Sequence, residues 1–213
     1  MFPISVRRTF QIILPLATYM LLYPLCVAFL MYVSAGGWPY ILYLLIAALV
    51  CLIPIMTMYL QLPIVRCSKW FAKEDARRDI LWIAGIVAVC LLTNLLLTQL
   101  GVVEASEGYQ RTAENFRTGT LIMQIACTVV VVPILEETLY RGIILGLLRG
   151  WMNQYVALAM TAVLFGIMHN NMAQAIYAII AGLMLGAAFL KTNKLWVSVF
   201  AHAIINLIVL LFI

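Results

Sequence analysis

Seven long apolar runs constrain this chain more than any other feature of its sequence. They lie near residues 10–33, 40–60, 80–100, 119–148, 155–169, 173–190 and 197–213. A helix needs about 20 apolar residues to cross the roughly 30 Å hydrocarbon core of a bilayer, and most of these runs reach or approach that length. The alternation of polar and apolar residues typical of a transmembrane barrel is absent. The sequence therefore predicts an all-α, polytopic transmembrane bundle of about seven helices.

The composition narrows the partners that such a chain can have. Hydrophobic residues make up 66% of the chain and charged residues 10%, with a mean hydropathy of +1.09, which excludes an ordinary soluble domain. The net charge is +5, but the basic residues are dispersed over several loops, so we expect no nucleic-acid partner. The cysteines show no C-x-x-C spacing, which argues against a disulfide framework or a zinc cluster.

The basic residues predict the orientation in the membrane. With a cytoplasmic N-terminus, the inner segments contain Arg7, Arg8, Arg66, Lys69, Lys73, Arg77, Arg78, Arg149, Lys191 and Lys194. The outer loop 101–118 contains only Arg111 and Arg117 beside three glutamates, as the positive-inside rule requires. Splitting the run 119–148 into two crossings would violate that rule, so we predict one long helix there, bent at Pro133.

The chain divides into a plain N-terminal part and a polar C-terminal part of one integrated bundle. Residues 1–118 contain the first three helices, which carry no charge within the membrane, and residues 119–213 contain every polar constellation. The first run is too long for the apolar region of a signal peptide, so we expect it to be retained as a helix. Small residues recur at Ala178, Gly182 and Gly186, a spacing that favours close helix packing.

Two adjacent glutamates lie within the fourth run, where ionisable residues mark a functional site by default. Residues four apart share one face of a helix, so Glu137 pairs with Arg141 while Glu136 and Tyr140 share the adjacent stripe. We assign Glu137 and Arg141 to a supporting ion pair and Glu136 to proton transfer. The alternative is a buried ion network that only holds helices together.

The two histidines of the chain also lie in apolar runs. Phe165 and His169 share one helical face, and His202 and Asn206 share another. Two donors on one stripe can bind a developing oxyanion. A single histidine in a membrane helix often does no more than bond to a neighbouring helix, but acids and histidines on three helices together predict a shared cavity.

These motifs resemble those of a known family of enzymes. Glu-Glu-x-x-x-Arg at 136–141, Phe-x-x-x-His at 165–169 and His-x-x-x-Asn at 202–206 are similar, in that order, to the CAAX-protease and bacteriocin-processing family of intramembrane endopeptidases, also called the Abi family. The resemblance covers about residues 119–213. Larger members have eight helices, and this chain stops at Ile213 after the last motif, so we expect the final helix of those members to be missing.

The resemblance implies a role for each motif residue. Glu136 and His169 would activate a water molecule, and His202 and Asn206 would stabilise the oxyanion. The supporting residues would be Glu137, Arg141, Tyr140 and Phe165. The implied function is an intramembrane endopeptidase that cleaves a peptide or protein tail with glutamate-activated water.

A bound zinc ion is the main alternative to this mechanism. Two histidines and a glutamate can ligate zinc, but the chain has no His-Glu-x-x-His pair, and the buried Arg141 would oppose a dication. We therefore expect no metal and no other cofactor. Two further alternatives are a non-catalytic immunity or sensor-regulating partner protein and a small transporter with a proton relay. Repeated halves with broken helices would favour a transporter, and the sequence shows no such repeat.

The expected substrate is a peptide or protein that reaches the site from the cytoplasm. A prenylated tail, a bacteriocin leader and a signalling-peptide precursor fit the motifs equally well. The lipid bilayer is the other expected partner, and we expect an integral protein of a bacterial cell membrane with a cytoplasmic N-terminus. The motifs leave the oligomeric state open.

Overall fold

Helices form almost all of the described structure. The computed structural model describes residues 4–62, 75–169 and 171–212, and these ranges contain no strand. The helices are α1 (Ile4–Val33), α2 (Tyr40–Gln61), α3 (Ala76–Gln99), α4 (Glu107–Phe116), α5 (Leu121–Leu148), α6 (Gln154–Ile167), α7 (Met172–Thr192) and α8 (Leu195–Phe212).

Six of the described helices, namely α1, α2, α3, α5, α7 and α8, are long and apolar enough to cross a membrane. The apolar helix α6 has 14 residues, so it extends about 21 Å at a rise of 1.5 Å per residue. Its length is therefore less than the roughly 30 Å thickness of the hydrocarbon core. It packs against α7, and the two helices form a hairpin. Helix α4 interrupts the predicted outer loop 101–118. The predicted polytopic helical bundle of about seven is confirmed.

Helix α5 is one continuous helix, as the charge distribution predicts. Two of its segments, Ile125–Val131 and Thr138–Leu145, are π-helical, and the α-helical stretch Val132–Glu137 separates them. Pro133 lies in the first turn of that stretch, where its missing N–H removes one helical hydrogen bond. Wide π turns are frequent at functional sites, and here they flank the two glutamates.

One end of the bundle gathers basic residues that the charge distribution assigns to a single side. The Arg8 guanidinium lies 5.7 Å from the ring centroid of Trp151. Arg149 Nη2 donates to Asn193 Oδ1 at 2.9 Å, next to Lys194. At the opposite end, the amide of Ile41 donates to the Thr118 hydroxyl at 2.8 Å. The relative sides of these segments thus agree with the predicted topology, whose cytoplasmic and outer labels stay a prediction.

A buried ion pair joins α3 to the α7–α8 turn. Lys194 Nζ lies 2.6 Å from Asp79 Oδ2 and 3.2 Å from Asp75 Oδ2. Asp79 is 1% exposed, so Lys194 rather than water compensates its charge. Helix α3 already begins at Ala76, and a carboxylate is stabilised in a first helical turn. The residues from 63 to 74 lie outside the described ranges.

Small residues let α6 and α7 pack closely, as their spacing predicts. A Cβ added at Gly182 would lie 3.1 Å from the Cα of Ala162, and one at Gly186 would meet Leu158. The carbonyl of Gly182 also accepts from Arg141 Nη2 at 3.4 Å. This close approach brings the α6–α7 hairpin against the polar stretch of α5.

Candidate active site

Glu137 lies at the centre of a buried ionic cluster. Its Oε1 accepts from Arg141 Nη1 at 2.8 Å, one turn along α5. The same atom contacts His202 Nδ1 on α8 at 2.9 Å. Glu137 is 0% exposed, and Arg141 is 1% exposed. The predicted Glu137–Arg141 pair is therefore present, and the contact with His202 places the first and last motifs together.

Glu136 has a different environment from its neighbour. Its side chain is 14% exposed, and Oε2 lies 3.9 Å from His202 Nε2, beyond hydrogen-bond distance. Its Oε1 accepts from the hydroxyl of Tyr19 on α1 at 3.4 Å. Because the two glutamates are rotated by about 100° on the helix, Glu137 faces the ionic cluster and Glu136 faces the tyrosine.

The ring of Phe165 connects the remaining motif residues. Its centroid lies 5.0 Å from that of Tyr140, 5.1 Å from that of His169 and 6.2 Å from that of His202, all in edge-on geometry. The guanidinium of Arg141 lies 4.5 Å from the same centroid, a cation–π distance. Phe165 thus brings side chains of α5, of α8 and of the turn after α6 around one aromatic ring.

His169 lies in the turn after α6 rather than within the helix. Its Nδ1 donates to the carbonyl of Phe165 at 2.8 Å, since a carbonyl can only accept. In the neutral form of the ring, this bond selects the tautomer in which Nε2 is an acceptor. Among the described residues, His169 makes no direct ion pair with Glu136 or Glu137. The neighbouring Asn170 lies outside the described residues.

Asn206 bonds to the first π-helical segment of α5. Its Nδ2 donates to the carbonyl of Thr128 at 2.8 Å. An amide nitrogen carries two protons, so one donor remains for another partner. Asn206 is on the same face of α8 as His202, one turn further along, as the four-residue spacing predicts.

Several buried polar atoms near the glutamates have no hydrogen-bond partner within the described residues. They are Glu137 Oε2, Thr138 Oγ1, Tyr140 Oη and Arg141 Nε. Buried polar atoms in proteins are normally bonded, so these four atoms stand out from most of the buried core. The described ranges contain no group of three or more His, Cys, Asp or Glu side chains placed to hold a metal ion.

The structure thus gathers most of the predicted site residues, and it adds one. Glu136, Glu137, Arg141, Tyr140, Phe165 and His202 form one cluster, His169 joins it through the Phe165 ring, and Asn206 lies at its edge. Their roles stay predictions. Tyr19 was missed, because helix α1 is apolar on every face and no polar pattern marks the side that packs inward.

Comparisons with known proteins agree with these motifs. Residues 118–208 match the family described as type II CAAX prenyl endopeptidase Rce1-like. The chain is also similar to "Putative membrane peptidase YdiL" of Bacillus subtilis (strain 168), with 26% identity over 144 residues, which are 65% of this chain and 58% of the relative. The match therefore spans less than two thirds of that relative. No solved structure matches the chain.

Proposed function

We propose that this protein is an intramembrane endopeptidase that uses Glu136 to activate water, since residues 118–208 match the family described as type II CAAX prenyl endopeptidase Rce1-like. The contact between Glu137 and His202, 2.9 Å long and 65 residues apart in sequence, is the observation that carries this proposal. It brings the first and third motifs into one cluster, as a shared catalytic cavity requires.

Glu136 and His169 fit the activation of water. Glu136 is the more exposed of the two glutamates and has no cation within hydrogen-bond distance among the described residues. Nε2 of His169 is an acceptor, because Nδ1 donates to a carbonyl. A water molecule between the two side chains would give one proton to Glu136 while its oxygen attacks the scissile carbonyl carbon.

His202 and Asn206 fit the stabilisation of the oxyanion. The second proton of Asn206 Nδ2 can be donated to it. His202 already uses Nδ1 toward Glu137, so it binds an oxyanion through Nε2 only when both ring nitrogens carry protons. The tetrahedral intermediate then collapses, the C–N bond breaks, and the proton held by Glu136 passes to the leaving nitrogen.

The same arrangement supports a mechanism without a metal. The positively charged guanidinium of Arg141 lies 2.8 Å from the Glu137 oxygen that also contacts His202. A dication bound to those side chains would be repelled by it. We propose that the substrate is a peptide or protein tail that enters from the cytoplasmic side, either prenylated or part of a peptide precursor.

Peptide cleavage by matched variants tests the proposal. The purified protein, Glu136→Gln and the control Glu104→Gln would be incubated with a library of peptides and prenylated peptides, with products read by mass spectrometry. Glu104 is exposed in the outer loop. We expect the control to match the wild type and Glu136→Gln to lose activity about 10²–10⁴-fold, the usual contribution of a general base, with unchanged thermal stability.

The other outcomes separate the alternatives. A Glu136→Gln protein that cleaves as fast as the wild type would disprove the glutamate mechanism. A folded wild type that cleaves no peptide or lipidated peptide would favour the non-catalytic immunity or sensor-regulating role instead.

A further inference from the structure

Tyr19 contacts Glu136 and lies outside the region that matches the family. It lies on α1, 117 residues before Glu136 in sequence, and its hydroxyl donates to Glu136 Oε1 at 3.4 Å. The match to the family begins at residue 118. Within the described residues, the Tyr19 hydroxyl is the side-chain group that donates a hydrogen bond to Glu136.

The packing of α1 explains why Tyr19 points toward the site. Ile12, Leu16, Tyr19 and Tyr23 form a stripe along one side of the helix and pack against the central core cluster. The Tyr19 and Tyr23 rings lie 5.6 Å apart. Much of the rest of α1 is exposed and would face lipid. The ring of Tyr19 is therefore held against the core cluster and the ring of Tyr23.

The hydroxyl has a physical reason to bond to Glu136. In an apolar surrounding a tyrosine hydroxyl needs a partner, and a carboxylate is a stronger acceptor than a neutral group. The two carboxylate oxygens then differ, since Oε1 receives the tyrosine hydroxyl and Oε2 faces His202 Nε2 at 3.9 Å. Without the hydroxyl, the carboxylate would lose both its fixed rotation and a bond to its ionised form.

We propose that Tyr19 is a positioning residue that fixes the carboxylate of Glu136 for proton transfer, so that the first helix completes the active site. This inference rests on the proposed function for its kinetic consequence. The contact itself can be tested without activity.

The experiment compares Tyr19→Phe with Tyr23→Phe. Tyr23 lies one turn further on the same stripe, and its hydroxyl donates to the carbonyl of Leu44 at 3.4 Å, so both variants lose one hydroxyl with a similar bond. The first measurement is the modification rate of Glu136 by a hydrophobic carbodiimide, which reacts with protonated carboxyl groups. Glu136→Gln identifies the modified residue. The second measurement is kcat and KM.

We expect Tyr19→Phe to be modified several-fold faster than the wild type and Tyr23→Phe to be modified at the wild-type rate. We also expect Tyr19→Phe to lose about tenfold in kcat with KM unchanged, because the change removes one long hydrogen bond to a charged group and keeps the ring. A loss of packing alone would lower stability without changing the modification rate.

Equal modification rates in the two variants would overturn the inference, whether or not the wild type cleaves a peptide. If the wild type cleaves and Tyr19→Phe retains full kcat, Tyr19 has no positioning role and the proposed function stands. If the wild type cleaves nothing, the proposed function fails, while faster modification of Tyr19→Phe would still establish the contact with Glu136.

Discussion

Removing the carboxylate of Glu137 should destabilise the fold more than any other single change in the site. Its Oε1 makes two short contacts, to Arg141 at 2.8 Å and to His202 at 2.9 Å, and the side chain is fully buried. A hydrogen bond that involves a charged group contributes about 1.5–3 kcal/mol. Breaking a buried ion pair by removing one partner costs about 3–5 kcal/mol, because the other charge is left uncompensated.

We therefore expect Glu137→Ala to lower the free energy of unfolding by about 3–5 kcal/mol. Glu137→Gln should lose less, because its amide oxygen can still accept from Arg141 although the negative charge is gone. After Glu137→Ala, the partners that Arg141 retains among the described residues are the Gly182 carbonyl at 3.4 Å and the face of Phe165. The double variant Glu137→Gln with Arg141→Met removes both charges and should recover part of the loss.

Unfolding in detergent micelles, followed by tryptophan fluorescence, measures these differences. Glu104→Ala is the control, since this exposed glutamate should change stability by no more than about 0.5 kcal/mol. The reasoning is refuted if Glu137→Ala loses less than about 1 kcal/mol. It is also refuted if the double variant loses the sum of its single changes, because contacting residues should show a coupling energy of about 0.5–3 kcal/mol.

Three other predictions follow from the charges and the proposed chemistry. In a cysteine-free background, single cysteines at 110 and 191 should react with impermeant reagents from opposite sides of the membrane, and reaction from the same side would contradict the topology. Peptidase activity should survive exhaustive chelation, whereas loss with recovery on adding zinc would establish a metal enzyme. Lys194→Met should lower the melting temperature by a similar amount at pH 5 and pH 9. The hydrogen bond from Lys194 lowers the pKa of Asp75 from its ordinary 3.8, so that contribution is lost only as pH falls below that value. Burial lowers the pKa of Lys194, but hydrogen bonds to Asp79 and Asp75 outweigh it and raise the pKa above 10.5, so this contribution is lost only in strong alkali. A loss confined to one of the two pH values would contradict this account.

The helices were predictable because bilayer thickness sets the length of an apolar run. The run 40–60 corresponds to α2 at Tyr40–Gln61, and the run 173–190 corresponds to α7 at Met172–Thr192. The structure differs where length and composition conflict. Helix α6 is as apolar as a crossing helix but has only 14 residues, so hydropathy alone counts it as a span.

The contacts between distant segments were less predictable than the helices. Four-residue spacing predicts that Glu137 meets Arg141, because both lie on one helix. It cannot predict that Lys194 neutralises Asp79, since this depends on how α3 packs against the α7–α8 turn. The contact of Tyr19 with Glu136 was hidden for the same reason, because it depends on which face of a largely apolar helix turns inward.

The doublet of glutamates shows how one local pattern can place two neighbouring side chains in different environments. A rotation of about 100° between neighbours turns Glu137 toward the guanidinium of Arg141 and the imidazole of His202, and it turns Glu136 toward Tyr19. A carboxylate bonded to two nitrogen groups is held in one orientation. Its neighbour, partly exposed and bonded to a neutral hydroxyl, is the one that we propose for proton transfer. Because Oε1 of Glu137 contacts both Arg141 and His202, the ion pair that stabilises the bundle and the orientation of His202 are coupled through the same oxygen atom.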